Sequence, residues 1–205
     1  MNYLVLLRHG ESVWNKENRF TGFTDVELSP TGVEEARTAG AALHGKNIRF
    51  DNVFTSTLKR AYTTADIVLK EVGQGGLEQV RHDDLRERDY GDLTGLNKDD
   101  MRKKYGEEQV HIWRRSYDVQ PPGGESLKDV VARVEPYYRA HIAPLLKEGR
   151  NVLLAAHGNT LRAMLIILGE YTPETVNNAE IPTGVPLVFE FENGAASKNY
   201  FLKAA

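Results

Sequence analysis

Cysteine is absent from all 205 residues. Disulfides, thiolate nucleophiles and cysteine-ligated zinc are therefore excluded, and a reducing cytoplasmic setting is expected. No apolar run approaches the roughly 18 residues that a membrane helix needs, so no membrane partner is expected. The first residues show neither the basic region nor the long apolar core of a secretion signal. Positive charge is not in excess: 26 Lys and Arg stand against 29 Asp and Glu, for a net charge of -3. That balance argues against a nucleic-acid partner but leaves room for a local basic pocket that takes a small anion. HExxH, EF-hand, GxxxxGK and GxGxxG patterns are all missing, so no metal or nucleotide cofactor is expected. No repeat, low-complexity tract or linker divides the chain, and one domain over residues 1–205 is expected.

What is present is ordinary for a globular protein, with 40% hydrophobic and 27% charged residues. Residues 3–7 read as a buried strand. A polar, glycine-containing segment from Arg8 to Ser29 follows, and it is long enough to suggest function. Pro30 opens a helix that has Gly45 near its end. Asp51–Ser56 reads as a strand. Thr57–Val72 reads as a helix, with Leu58, Ala61, Ala65, Val68 and Leu69 at helical spacing. Gly73–Gly76 is a turn and Gln79–Arg81 a short strand. Residues 82–125 are polar and predict short helices and loops. Ser126 with Asp129 starts a helix whose buried face carries Leu127, Val130, Val131, Val134 and Tyr138. Pro136 and Pro144 should kink or divide it. Asn151–Ala156 is the clearest interior strand, followed by a helix over Thr160–Leu168 and a late strand over Val185–Glu192. The alternation implies an α/β three-layer sandwich: a mostly parallel central sheet with helices on both faces.

Two stretches share a pattern. YLVLLRHG and NVLLAAHG are apolar strands that stop at a histidine and a glycine, and parallel strands of one sheet can open both ends onto one crevice. A lone strand-end histidine is more often a hydrogen-bonded structural residue. The pair His9 and His157 is less ordinary, and Gly10 and Gly158 would let a ligand approach the backbone. In STLKRAYTTA, Arg60 falls in the first turn of a helix, where a phosphate can be held. By itself Arg60 would be a solvated arginine on a helix face. Arg8 and Arg60 could grip one phosphoryl group between the two histidines. LRERDYGDLTGLNK supplies Glu87, Tyr90 and Lys98, and WRRSYD supplies Arg114 and Arg115, whose forks suit carboxylate and phosphate oxygens. Arg88, Lys103 and Lys104 read as a solvated charged face. For Glu87 the plain reading is an ion pair with Arg86 or Arg88. His44, His82, His111 and His141 read as surface or packing residues.

In order along the chain, RHGESVWN, FTGFTDVELS, STLKRAYTT, ERDYGDLTGLNK, WRRSYD, PPGGESL, AAHGNTLR and IPTGVP resemble the cofactor-dependent phosphoglycerate mutases, a branch of the histidine phosphatase superfamily. RHG with a late HGN marks the superfamily, and GLNK with WRRSYD marks the mutase branch. The resemblance implies a phosphoglycerate mutase-like fold. It implies that His9 is the phosphorylated nucleophile and that Arg8, Arg60 and His157 surround the transferring group, with Glu87 as acid/base. Ser12, Asn15, Thr21, Gly22, Tyr90, Lys98, Arg114, Arg115, Gly158 and Asn159 would complete the substrate site. The implied reaction interconverts 3-phosphoglycerate and 2-phosphoglycerate, with 2,3-bisphosphoglycerate as primer and intermediate. A protonated His157 would serve there as a cation. Two positions depart from the family pattern: Asp89 where many members have histidine, and Phe23 where many have tryptophan. Family analogy supplies a homodimer as the expected assembly. A phosphomonoesterase of the same superfamily and a non-catalytic phosphoanion-binding module are the competing readings.

Overall fold

The computed structural model describes residues 1–204. Strand β1 spans Asn2–Arg8, and its alternating side chains serve two separate cores. Leu4 and Leu6 face one side of the sheet, Val5 and Leu7 the other. A strand apolar on both faces is what a sheet covered on both sides requires. Ser12 then caps a single turn, α1 (Val13–Lys16), before Ser29 caps α2 (Pro30–Gly45). β2 (Asn52–Thr55) is followed by α3 (Lys59–Glu71) and β3 (Gln79–Arg81). Two short helices follow, α4 (Lys98–Tyr105) and α5 (Glu107–Arg115), within the polar stretch. α6 (Leu127–Tyr137) begins at a capping box of Ser126 and Asp129. A π-helical turn over Tyr138–Ile142 separates it from α7 (Ala143–Lys147). Pro136 lies inside α6 and Pro144 in the first turn of α7. Each lacks an N–H, so the expected division of this helix is observed. β4 (Val152–Ala156), α8 (Gly158–Ile167), β5 (Leu187–Glu192) and β6 (Ala195–Phe201) complete the chain.

The six strands lie in the order β3-β2-β4-β1-β5-β6. The first four are parallel, while β5 and β6 run antiparallel at one edge. Val5, Leu7, Leu153 and Ala155 pack with Ala39 and Leu43 of α2 and with Ala65, Val68 and Leu69 of α3. Leu4, Leu6, Val152 and Leu154 pack on the opposite face with Val130 and Val134 of α6 and Leu161 and Met164 of α8. Each fully buried aliphatic side chain of this kind contributes about 1.5–3 kcal/mol. The result is the expected three-layer sandwich with a mostly parallel sheet. Among the described residues, no helix is long and apolar enough to cross a membrane.

Several element ends shift by one or two residues from the sequence reading, and one strand is added. α3 starts at Lys59 rather than Thr57, because Leu58 stays extended and its N–H is taken by the Ser56 hydroxyl at 3.2 Å. α8 starts at Gly158 rather than Thr160, directly after His157. β6 was not anticipated, although Asn193-Gly194 carries the strongest short hairpin signal. Both residues have positive φ, 53° and 80°, as the turn between β5 and β6 demands.

The loop after β1 is clamped to the start of α2 by two glycines. A Cβ on Gly10 would lie 2.2 Å from the Gly32 carbonyl oxygen, and a Cβ on Gly32 would lie 2.1 Å from that of Glu11. Backbone on both sides cannot yield as a flexible side chain would. Gly32→Ala is expected to lose about 1–3 kcal/mol of stability. For a chain of this size that lowers the thermal midpoint by roughly 2–12 °C, measured by circular dichroism. An unchanged midpoint would show that the loop accommodates the methyl group.

Candidate active site

β1 and β4 are adjacent and parallel, with Arg8 opposite Ala156. The ladder continues one step further, from the His9 N–H to the Ala156 carbonyl at 3.0 Å. β1 feeds α2 toward β2 on one side, whereas β4 feeds α8 toward β5 on the other. The ends of these two strands therefore form the crevice where open α/β sheets place ligands. The rings of His9 and His157 meet there edge to face, 5.0 Å apart between centroids.

The hydrogen bonds set the His9 tautomer and anchor the His157 ring. His9 Nδ1 lies 2.6 Å from the Gly10 carbonyl oxygen. That oxygen can only accept, so Nδ1 carries the proton and Nε2 keeps a lone pair. Burial, then the Arg60 and Arg8 charges, hold the His9 pKa well below the usual histidine value. His157 Nε2 lies 2.7 Å from the Ser56 hydroxyl, which already accepts from Leu58 N–H. With one lone pair so used, the Ser56 hydroxyl can donate to Nε2 or accept from it through its second lone pair. Nδ1 is buried and has no hydrogen-bond partner among the described residues. Burial, Arg60 and His9 push the His157 pKa well below its usual value. Burial therefore opposes a charge on His157 in the free protein, whereas an arriving anion favours it, as the expected protonated His157 beside a phosphoryl group requires.

Arg60 is not the solvated helix residue that its position alone would suggest, since it is 1% exposed. Its guanidinium donates to the carbonyls of Gly22 and Thr24, both at 2.7 Å. Burial, partly offset by Glu87 and Asp25, brings its pKa down to about 10. A cavity of about 80 Å3 opens beside these groups. Arg8, Asn15, Thr21, Gly22, Glu87, Tyr90, Lys98, Arg114, Arg115, Gly158 and Asn159 all line it, so the sequence-derived set is gathered almost whole. His9, Arg60 and His157 are buried, and each adjoins a lining residue. Ser12 is the exception. It is fully buried as the cap of α1, accepting from Asn15 N–H at 3.1 Å, and does not reach the cavity. Arg19, Phe20 and Arg162 also line the cavity. Arg162 was not anticipated, although it closes the AAHGNTLR stretch one helical turn after Gly158.

Glu87 is the carboxylate of this cavity. Its Oε1 accepts from the backbone N–H groups of Arg88 at 2.8 Å and Asn159 at 3.2 Å. The latter bond sets it at the N-terminus of α8, where a negative charge is favoured. No ion pair to Arg86 or Arg88 forms. Arg133 holds the segment from behind, donating to the carbonyls of Asp84 and Glu87 and pairing with Glu125 at 2.9 Å. Arg88 is not part of a solvated face. It is fully buried, and its guanidinium donates to the carbonyls of Trp113, Arg114, Val119 and Glu125. It thus secures the C-terminal end of α5, which carries Arg114 and Arg115. Lys103 and Lys104 are exposed as expected. His82 and His141 stack on Tyr137, while His44 and His111 are exposed. Asp89 accepts from Gly91 N–H, and Phe23 lies under the guanidinium of Arg86; neither lines the cavity.

Cations outnumber carboxylates here. Lys98 is pulled down to about 8 by burial and by Arg114, Arg8 and Arg115. Arg162 is pulled down to about 10 by burial and then by Arg115. A dianionic phosphoryl group with a second anionic end would relieve these repulsions. Among the described residues, no three or more His, Asp or Glu gather as metal ligands.

The neutral imidazoles give a testable pH dependence. Below about 6.5, the ordinary histidine value, the unfolded chain binds protons that His9 and His157 refuse in the fold. Stability therefore falls as pH drops through that value. Urea unfolding between about pH 7 and about pH 5 should lose free energy more steeply in the wild type than in a His9→Asn, His157→Asn double variant. Equal slopes would mean that both rings titrate normally.

The comparisons with known proteins agree with this geometry. The model of the histidine phosphatase superfamily (branch 1) matches residues 4–201. A 2,3-bisphosphoglycerate-dependent phosphoglycerate mutase of Sinorhizobium fredii (strain NBRC 101917 / NGR234) is 57% identical over 189 residues, 92% of this chain and 90% of that protein. The structure of a mycobacterial glucosyl-3-phosphoglycerate phosphatase in complex with VO3 superposes with a TM-score of 0.82 at 26% identity, covering 98% of this chain and 97% of that one. A phosphoglycerate mutase from Bacillus anthracis shares the fold, with a TM-score of 0.77 at 23% identity over 96% and 90% of the two chains.

Proposed function

The chain belongs to branch 1 of the histidine phosphatase superfamily, and from that premise we propose how its residues divide the work of a phosphoglycerate mutase. It is an enzyme that interconverts 3-phosphoglycerate and 2-phosphoglycerate; its 57% identical relative is named a 2,3-bisphosphoglycerate-dependent phosphoglycerate mutase. The observation that carries the reading is the pairing of a neutral, correctly protonated His9 with a cavity richer in cations than one phosphate needs. The same fold serves phosphatases. Lys98, Arg114 and Arg115 suit a ligand with a second anionic group, for which hydrolysis of a monoester has less use.

His9 Nε2 attacks the phosphorus of 2,3-bisphosphoglycerate. The P–N bond forms as the P–O bond to the departing hydroxyl breaks, and Glu87 delivers the proton that oxygen needs. A monophosphoglycerate then gives its free hydroxyl proton to Glu87 and takes the phosphoryl group back, which restores His9. Charge spreads over the three equatorial oxygens in each transfer. Arg8, Arg60 and His157 face that charge, while Lys98, Arg114 and Arg115 hold the other end. Asn15, Thr21, Gly22, Tyr90, Gly158 and Asn159 shape the space between. 2,3-Bisphosphoglycerate is both primer and intermediate in this scheme.

Two measurements test it. Incubation with 3-phosphoglycerate and a trace of 2,3-bisphosphoglycerate should yield 2-phosphoglycerate, and His9→Ala should abolish both that product and acid-labile protein phosphorylation. Release of inorganic phosphate alone would make the protein a phosphatase, and turnover by His9→Ala would remove the nucleophile. Glu87→Gln should slow turnover by about two to four powers of ten, while 2,3-bisphosphoglycerate still binds in calorimetry. Near-normal turnover in that variant would move proton transfer elsewhere, with His157 the next group to examine.

A further inference from the structure

Glu35, half-buried on α2, reaches two loops at once. Its Oε1 accepts from Glu11 N–H at 2.8 Å, and its Oε2 accepts from the Thr183 hydroxyl at 2.6 Å. Thr183 belongs to the segment between α8 and β5. That segment is also tied to the end of β1: Arg8 donates to the Ile181 carbonyl, and Gly184 N–H donates to the Arg8 carbonyl, both at 3.0 Å. Gly184 lies flat on α2, with φ at 68° and no room for a side chain. A Cβ there would meet the Glu35 Cβ at 2.6 Å and the Glu35 carbonyl oxygen at 3.1 Å.

The bond to Glu11 acts on His9. Glu11 N–H and the Gly10 carbonyl are the two ends of one planar peptide unit. The Gly10 carbonyl is the acceptor that faces His9 Nδ1 at 2.6 Å. A planar unit held at its N–H by a carboxylate, through a charge-assisted bond, cannot turn its carbonyl away. A plain tether between this loop and α2 would not need that bond. Ser29 N–H already donates to the Glu11 carbonyl at 2.9 Å, the Ser29 hydroxyl donates to Glu11 Oε1 at 2.8 Å, and Gly10 packs on Gly32. The preceding peptide is held separately, by Gly10 N–H donating to the Thr64 hydroxyl at 3.2 Å.

We propose that Glu35 is a positioning residue for the nucleophile, fixing through the Gly10–Glu11 peptide the oxygen that keeps the proton of His9 on Nδ1, while Thr183 steadies the carboxylate from the other side. Glu35 does not line the cavity. The inference rests on the reading of His9 as the phosphorylated group and deepens it. If the peptide turns, Nδ1 loses its acceptor, and the tautomer with its proton on Nε2 has no lone pair to aim at phosphorus. Ligand binding, which is the work of the cavity wall, is untouched by that turn. The role depends on reach rather than charge. Glutamine has the same reach: its carbonyl oxygen accepts from Glu11 N–H, and its amide donates to the Thr183 oxygen. Aspartate keeps the charge but is one methylene short of spanning both loops.

The experiment compares Glu35→Gln and Glu35→Asp in the full chain. The single-turnover rate of acid-labile phosphorylation is measured at saturating 2,3-bisphosphoglycerate, and 3-phosphoglycerate affinity is measured by calorimetry. Glu35→Asp should slow phosphorylation by about tenfold to a hundredfold, the scale of a misplaced reacting group, with its affinity for 3-phosphoglycerate retained. Glu35→Gln should keep the wild-type rate. In protein labelled with 15N-histidine, His9 Nδ1 should appear as an N–H in the wild type and in Glu35→Gln, and as a mixture of tautomers in Glu35→Asp. A wild-type rate in Glu35→Asp overturns the proposal. Glu35→Gln as slow as Glu35→Asp overturns it as well, because charge and not reach would then be at work. If Glu35→Asp does not fold, Thr183→Val takes its place: it should slow the same step and Thr183→Ser should restore it, and equal rates overturn the proposal. Wild-type protein that acquires no acid-labile phosphate sinks the nucleophile reading itself, and the role of Glu35 with it.

Discussion

The hydrogen bond from His9 N–H to the Ala156 carbonyl carries the parallel ladder of β1 and β4 one residue past the strand. Everything at the site depends on that register. The side chains of a strand alternate between faces, so a slip of one residue would exchange the faces of Leu4, Val5, Leu6 and Leu7 and send their core contacts to the wrong layer. The two hydrophobic cores thus lock the register, and the register in turn sets two imidazoles 5.0 Å apart. The glycines at 10 and 32 carry the constraint outward, by pressing the loop after His9 onto the start of α2.

Around this pair the fold places charge it does not neutralise. Arg60 is buried against carbonyl oxygens of Gly22 and Thr24, not against a carboxylate. Arg88 likewise spends its donors on four carbonyls. Carbonyl dipoles orient a guanidinium and satisfy its N–H groups while leaving its charge available to a ligand. An aspartate in the same place would stabilise the free protein and cancel the field. The price is visible in Lys98, lowered to about 8 by burial and three arginines. Sites built for charged ligands keep such strain because the ligand relieves it.

Phosphatase and mutase share this frame, as the mycobacterial phosphatase with a TM-score of 0.82 illustrates. Away from the histidines, α5 delivers Arg114 and Arg115 and α4 delivers Lys98 to the cavity wall. Arg88 and Arg133 brace those elements and the Glu87 backbone through bonds that never touch the ligand. The cationic wall of the cavity is thus built on short polar helices held on a rigid sheet.

Much of this was legible in the residues. Two apolar runs ending in His-Gly, the helical spacing after Thr57 and the prolines at 136 and 144 each carry a local physical signal, because periodicity and backbone restriction act within a few residues. So does the chemistry of GLNK and WRRSYD, once the family pattern is seen. The hairpin at Asn193-Gly194 was also local, and was there to be read. Other features were decided only by tertiary structure. Arg60, Arg88 and Arg162 look alike in sequence to the exposed Lys103, since charge does not reveal burial; only packing put them inside. Ser12 stands beside the motif histidine but is consumed as a helix cap. The lowered pKa of His157 follows from burial, then from Arg60 and His9, which lie far from it along the chain. Sequence fixes which groups can act, because side-chain chemistry is local. Their protonation and exposure wait for the fold, because desolvation and Coulomb forces act through space and not along the chain.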